Sequence, residues 1–331
     1  MRLGLMLGYW QSGPEDPIEL VRHAEDLGYD SVWCAEAYGS DCFTPLSWIG
    51  ARTTKIKLAT GIMHVSARTP ACVAMTAATI DHLSNGRLIL GVGVSGPQVV
   101  EGWYGQPFPK PIGRTREFVS LVRQILRREA PVTFQGEHYQ LPLKGGTGLG
   151  KPLKLIMHPL RKEIPIYIGA EGPKNVEMAC EVGDGWLPVF YSPYRKIYPE
   201  LMSKLRPGFD VACPVTIVMK DDLAEALTYM KWYLAFYLGG MGAKDQNFHM
   251  NWVGRLGFGD EAARVQELFI AGKREEAVAA VPDQLADEIA LLGPADRIRD
   301  RLQAWKESPV TTILAGTRDP DALRVLAEAL S

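Results

Sequence analysis

The sequence predicts a closed (β/α)8 TIM barrel, and three observations carry that expectation. Short apolar runs alternate with helical patterns along the whole chain, eight strand candidates can be counted, and 331 residues is an ordinary length for one α/β barrel. A doubly wound open sheet is the competing arrangement, and length alone would also allow two domains.

Taken in chain order, residues 3–7 read as the first strand. A helix follows over 17–27: Pro17 suits a first turn, Ile18, Leu20, Val21, Ala24 and Leu27 form one stripe, and Gly28 ends it. Residues 31–34 and 55–61 make the second and third strands, 70–83 an Ala-rich helix, and 88–92 the fourth strand. Over 114–128 the helix is plainly amphipathic, with Phe118, Leu121, Val122, Ile125 and Leu126 on one side and Arg114, Arg116, Arg123 and Arg127 on the other. Residues 131–163, rich in Gly and Pro, read as an excursion that holds a small hairpin. Residues 164–170 form the fifth strand, 173–182 a helix, 184–189 the sixth strand, 212–219 the seventh, and 221–238 a helix. Residues 239–293 show no strand signal and read as a helical insertion opened by "GGMGAKDQ". A helix over 295–306, an eighth strand over 310–316 and a last helix ending near Leu330 complete a single domain, 1–331, with insertions at about 131–163 and 239–293.

Composition narrows the function. Apolar residues make up 47% of the chain, and 36 basic against 38 acidic side chains leave a net charge of −2. Nothing in that balance offers a basic surface to nucleic acid or a membrane, so an anionic ligand must be held locally. The apolar N-terminus is too short for a signal peptide, and no uncharged run approaches the roughly 18 residues of a membrane span. Five scattered cysteines (Cys34, Cys42, Cys72, Cys180, Cys213) without C-x-x-C fit buried, reduced thiols in a cytoplasm. His23 and His82 lie on helices, His138, His158 and His249 in loops, and no spacing marks a metal site or a nucleophile elbow.

The stretch "GRLILGVGVSGPQVVEGW" (86–103) contains a literal G-x-G-x-x-G at Gly91, Gly93 and Gly96. As a dinucleotide fingerprint it should follow the first strand, open a long helix at once and have a strand-end acid some 20 residues on. Here it follows the fourth strand, runs into "EGWYGQPFPKPIG", and no strand-end acid stands near 111–117. The glycines therefore read as a loop at the C-terminal end of a barrel strand, where active sites form.

Four blocks read together carry a family resemblance: "AEDLGYDSVWCAEAYGSD" (24–41), "LATGIMHVSARTP" (58–70), "IDHLSNGRLILGVGVSGPQVVEGW" (80–103) and "IPIYIGAEGPKNVEMACEVGDGWLP" (164–188). In order and spacing the chain resembles the bacterial luciferase-like family, and within it the deazaflavin (coenzyme F-420)-dependent oxidoreductases. The resemblance implies a non-prolyl cis peptide between Gly61 and Ile62 behind the flavin ring, and a cofactor phosphate at the turn Gly169-Ala170-Glu171-Gly172-Pro173-Lys174. Physically, uncapped N–H groups at such a helix start make either an anion site or a plain cap. Ser95 and Gly96, with Gly93, would face the cofactor from the opening motif, and Gln98 and Glu101 lie where relatives carry cofactor-contacting polar groups.

The remaining expectations concern chemistry. Glu36, at the end of the second strand, could poise a proton or accept from the deazaflavin, and His64 is the nearest ring that could titrate near neutral pH. Relatives that oxidise sugar phosphates place a His after this acid; here the next residue is Ala37, which weakens that substrate reading. Tyr9, Trp10, Tyr38 and Trp103 would line a substrate pocket. The resemblance thus implies hydride transfer between coenzyme F-420 and a small organic molecule. An FMN-dependent two-component monooxygenase and a non-catalytic flavin-binding paralogue are the alternatives. Relatives dimerise through helices near the second and third strands, so a homodimer is expected.

Overall fold

The computed structural model describes residues 1–10, 12–13, 16–241 and 247–330. Among these, eight parallel strands close into a ring: β1 (Arg2–Gly8), β2 (Ser31–Cys34), β3 (Lys57–Thr60), β4 (Leu88–Gly93), β5 (Ile166–Gly169), β6 (Gly185–Leu187), β7 (Asp210–Met219) and β8 (Thr312–Gly316), with β8 returning to β1. Each strand is sandwiched between the barrel interior and the outer helices, which is why all six residues of β4 are buried and read as one apolar run.

The interior is filled rather than hollow. Met6, Trp33, Ala59, Ile62, Ile89, Tyr167, Leu187, Ala212 and Leu314 form one cluster inside the ring. Trp33 and Tyr167 meet across it at 5.6 Å, and the space they need is left by Ala59 and Ala212. The Trp33 indole N–H donates to Ser31 Oγ at 2.8 Å, so the buried ring has its polar edge satisfied. At the N-terminal end the Asp210 carboxylate accepts from the Tyr167 hydroxyl at 2.8 Å and Thr312 Oγ1 at 2.8 Å, also takes the Thr311 hydroxyl, and pairs with Arg2 at 2.7 Å. These groups close the barrel floor.

The helices follow local rules. Pro70–Leu83 starts behind Thr69, whose side chain caps the Cys72 N–H, with Pro70 in the first turn. Its alanines Ala74, Ala77 and Ala78 are buried. Pro111–Arg127 buries all five predicted apolar positions, while Arg116, Arg123 and Arg127 pair outward with Glu181, Asp184 and Glu163. The excursion 131–163 does hold a hairpin, Phe134–Gln135 with Gln140–Leu141. It is tied back by Arg161, whose guanidinium grips the fully buried Asp81 carboxylate and donates to the Leu88 carbonyl at 2.6 Å.

Three expectations are corrected. Of the five cysteines only Cys34, Cys42 and Cys213 are buried; Cys180 is half-buried and Cys72 is exposed, because it lies on the outer face of the helix Pro70–Leu83. Within 239–293, Ala290–Gly293 is a strand that runs parallel to the C-terminal half of β7; the short run Ala-Leu-Leu-Gly, one residue after the helix Asp283–Glu288, carries no periodicity that distinguishes strand from helix. His249 lies in the short helix Phe248–Val253, not in a loop, capped by Asn247, which accepts from the Met250 N–H at 3.1 Å. Residues 242–246, inside the expected opening of the insertion, lie outside the described residues. No helix among the described residues is long and apolar enough to cross a membrane.

Gly91 marks the tightest point of the ring. Thr60 Oγ1 donates to the Gly91 carbonyl at 2.7 Å and accepts its N–H at 2.8 Å, and a Cβ on Gly91 would stand 1.9 Å from the Thr60 carbonyl oxygen. Backbone cannot step aside as a side chain can. Gly91→Ala should therefore cost about 3 kcal/mol, the upper end for overpacking. Gly172→Ala, which has open space and an ordinary backbone, should stay within about 0.5 kcal/mol. Urea denaturation midpoints of the two variants check the contrast.

Candidate active site

The C-terminal mouth of the barrel is organised around a backbone shelf. β3 ends at Thr60, and the following Gly61–Ile62 peptide is cis. The segment is stitched on both sides: the Gly61 N–H donates to the Cys34 carbonyl at 2.8 Å, the Glu36 N–H to the Ile62 carbonyl at 3.1 Å, and Met63–His64 pair with Val92 and Gly93. Ile62 is seated where two glycines leave room. A Cβ on Gly93 would lie 2.2 Å from Ile62 Cδ1, and one on Gly169 3.3 Å from Ile62 Cγ2. Gly91 and Gly93 thus serve close packing inside the barrel, which accounts for two of the three glycines in the dinucleotide-like string.

On the β2–β3 side, Glu36 is held by two partners. Its carboxylate pairs with Arg68 at 2.6 Å, and its Oε2 accepts the Arg68 guanidinium at 2.8 Å and the His64 backbone N–H at 3.0 Å. Arg68 in turn lies over the Phe43 ring. His64 is buried, with Nδ1 3.4 Å from the Tyr104 hydroxyl. Burial, reinforced by the Arg68 charge, lowers the His64 pKa to about 4, so the ring is neutral at physiological pH.

The turn after β5 leads into the helix Pro173–Val182. Gly172 is its N-cap and no side chain caps it, and Pro173 sits in the first turn, where its missing N–H is harmless. Gly172 has open space around it. Glu171 Oε2 and Asn175 Oδ1 are buried without a hydrogen-bond partner, and rotating the Asn175 amide would present its NH2 instead. Ala170 is buried, its carbonyl accepting the Trp186 indole N–H at 2.8 Å, while Lys174 is exposed. A flat ring with an anionic tail fits the shelf at Gly61–Ile62 and the uncapped helix start, whose free N–H groups and a rotated Asn175 amide would donate to the anion, with the Glu171 carboxylate turned away from it toward His249.

The rest of the opening motif lies on the same rim. Ser95 adopts a left-handed φ of 60°, and Gly96 is the N-cap of the short helix Pro97–Gly102. The Gln98 side chain lies against Gly96, leaving 2.7 Å to a Cβ there. Glu101 is exposed, its carboxylate accepting the Phe108 N–H at 3.4 Å, and Trp103 is exposed. Tyr38 is exposed as well, with its hydroxyl on Met241 Sδ at 3.8 Å, and Trp10 is half-buried, its N–H on Ser40 Oγ at 3.0 Å.

A further wall, running from the turn after β1 to the turn after β5, was not singled out by sequence reasoning, apart from Tyr9 and Glu171. The Tyr237 hydroxyl meets those of Tyr9 and Tyr233. The Tyr233 and Tyr237 rings lie 4.7 Å apart, Tyr237 packs edge-on to His249 at 5.1 Å, and Phe190 contacts both Tyr237 and His249. His249 Nδ1 lies 2.7 Å from Glu171 Oε1, a charge contact rather than a well-aligned hydrogen bond. Burial works to lower the His249 pKa, but the Glu171 carboxylate outweighs it and the pKa is raised. Tyr233 and Tyr237 are four apart on one helix, a spacing legible in "YLAFYLG"; His249 carried no such signal. Among the described residues, no group of three or more His, Cys, Asp or Glu could hold a metal ion.

The barrel, the cis shelf and the glycine turn define the class, and residues 1–312 match the luciferase-like monooxygenase family, to which this chain belongs. A Mycobacterium tuberculosis protein provisionally named a coenzyme F-420-dependent oxidoreductase is 48% identical over 340 residues, covering 99% of this chain and 98% of its own length. The 5,10-methylenetetrahydromethanopterin reductase of Archaeoglobus fulgidus is 28% identical over 90% of this chain and 88% of its own. Among solved structures, the coenzyme F-420-dependent tetrahydromethanopterin reductase of Methanopyrus kandleri superposes with a TM-score of 0.76 at 23% identity, covering 99% and 97% of the two chains.

His64 also sets a pH dependence. As pH falls below the ordinary histidine value of 6.5, the unfolded chain takes up a proton that the folded ring does not accept until about pH 4. Stability should therefore fall across that window, by on the order of 3 kcal/mol. A His64→Gln variant should lack this component, which urea titrations at pH 7, 5.5 and 4.5 would reveal.

Proposed function

We propose that this chain is an F-420-dependent oxidoreductase that moves a hydride between the deazaflavin and a small organic molecule. The observation that carries the reading is the placement of the Gly61–Ile62 shelf and the uncapped Gly169–Lys174 turn on one rim of the barrel. It is supported by the 48% identical full-length relative that bears the same provisional name. When bound, the deazaflavin supplies a carbon that accepts or donates hydride. The protein's part is orientation and exclusion of water. Ile62 and the backbone on either side of it would back the ring. The helix start at Gly172–Lys174, with Asn175 and the backbone at Ser95–Gly96, would hold the anionic tail. Glu36, locked by Arg68 and the His64 N–H, serves as a positioning residue that fixes the loop after β3 beside the ring. Tyr9, Trp10 and Tyr38 would line the substrate side, with Gln98, Glu101 and Trp103 at the outer rim.

The chain would work as a single cytoplasmic domain and as a homodimer. The alanines of Pro70–Leu83 are used up against the barrel, so the outward side chains Met75 and Leu83, with the nearby Trp48, would form the contact. Light scattering should return twice the 36.6 kDa chain mass.

Calorimetric titration of the pure protein with F-420 and with FMN tests the cofactor. F-420 is expected to bind with FMN much weaker; tight FMN binding without F-420 binding would overturn the proposal in favour of a two-component monooxygenase. F-420 binding without turnover by any donor or acceptor would point to a carrier.

A further inference from the structure

A hydride transfer at a carbon that bears oxygen needs a second group to give or take the oxygen's proton, and the β2–β3 side of this mouth does not offer one. Glu36 is engaged by Arg68 and the His64 N–H, and the buried His64 ring, its pKa lowered to about 4, is a poor proton acceptor near neutral pH. Across the mouth, His249 from the insertion meets Glu171 from the turn after β5 at 2.7 Å, and Tyr237 and Tyr9 bring their hydroxyls together beside it. The groups that face His249 are the Glu171 carboxylate, the phenol of Tyr237 with those of Tyr233 and Tyr9 behind it, and the uncharged Phe190 ring. On the far side of Glu171, the Tyr198 hydroxyl donates to the Glu171 backbone carbonyl at 2.8 Å, with Arg255 near it.

We propose that His249, steadied by Glu171, is the proton-handling group of this enzyme, that the Tyr237 and Tyr9 hydroxyls grip the substrate oxygen, and that the substrate is an uncharged alcohol or carbonyl compound. This rests on the oxidoreductase reading above. With Nδ1 turned to Glu171, the ring's Nε2 is left to exchange the proton. In the oxidative direction the substrate O–H bond breaks and its proton passes to Nε2, where an N–H bond forms. The O–H electron pair becomes the second bond of the carbonyl. The same carbon gives up its hydride, which a bound deazaflavin would take. In the reductive direction each transfer reverses. The uncharged substrate follows from the lining on this side: among the described residues Tyr9, Phe190, Tyr233 and Tyr237 present rings and phenol hydroxyls, which suit an apolar body carrying one neutral oxygen, while Arg68 is spent on Glu36 and Arg195 on the next loop on Glu288 at 2.8 Å.

Two measurements test this, one without cofactor. Imidazole NMR of the full chain should place the His249 pKa above the free value, returning toward it in Glu171→Gln. In the F-420-loaded enzyme, 2-propanol and cyclohexanol should be oxidised in preference to glucose 6-phosphate, with a pH limb in kcat. His249→Gln and His249→Asn should lose that limb and about 10²-fold in kcat, and Tyr237→Phe should lose kcat with a changed solvent isotope effect, all with F-420 affinity unchanged by calorimetry. Wild-type pH profiles in both His249 variants, a preference for glucose 6-phosphate, or F-420 binding with no turnover of the neutral alcohols would each overturn the proposal while the cofactor reading stands. Failure of F-420 to bind the wild type would instead overturn the oxidoreductase reading beneath it.

Discussion

The mouth of this barrel depends on how Ile62 is seated. The peptide before it turns the chain out of β3, and its side chain fills the space that the missing Cβ of Gly93 leaves and packs close against Gly169. Because those glycines belong to β4 and β5, the shelf is not a loop resting on the barrel but part of its wall. Neighbouring hydrogen bonds from Gly61 to Cys34, from Glu36 to Ile62 and from Val65 to Gly93 tie β2, β3 and β4 together at the same level. A rigid rim of that kind is what a site needs if it works by orientation, where small displacements cost large factors in rate.

Charge is arranged around the shelf in closed pairs. Glu36 with Arg68 and Glu288 with Arg195 leave each carboxylate little capacity for other partners. Glu171 differs: one oxygen meets His249 and the other is buried and unpartnered. A half-satisfied carboxylate is costly to keep inside a protein, and such departures concentrate where ligands act.

Much of this was legible in the sequence. The alternation of strand and helix patterns foretold the eight-stranded ring, because parallel strands covered on both faces read as unbroken apolar runs. The shelf at Gly61–Ile62 came from family resemblance, since no propensity distinguishes a cis from a trans peptide after a glycine. What escaped were features assembled from distant segments. Ala290–Gly293 looks helical because Ala and Leu suit both elements, and only its pairing with β7 decides the matter. His249, Glu171 and Tyr237 come from a short helix, a turn and a long helix, and nothing local announces that they meet. The G-x-G-x-x-G string was misleading for the same reason: the spacing is local, but what stands opposite each glycine is not.

The polar floor around Asp210 has a bearing on traffic. With Arg2, Tyr167, Thr311 and Thr312 all committed to that carboxylate and a packed aromatic layer above them, the barrel is a cup with one opening. Every molecule that visits the shelf must enter and leave by the same rim. Ligands that share the mouth therefore share one doorway, and how freely either exchanges is set by the shape of the vessel.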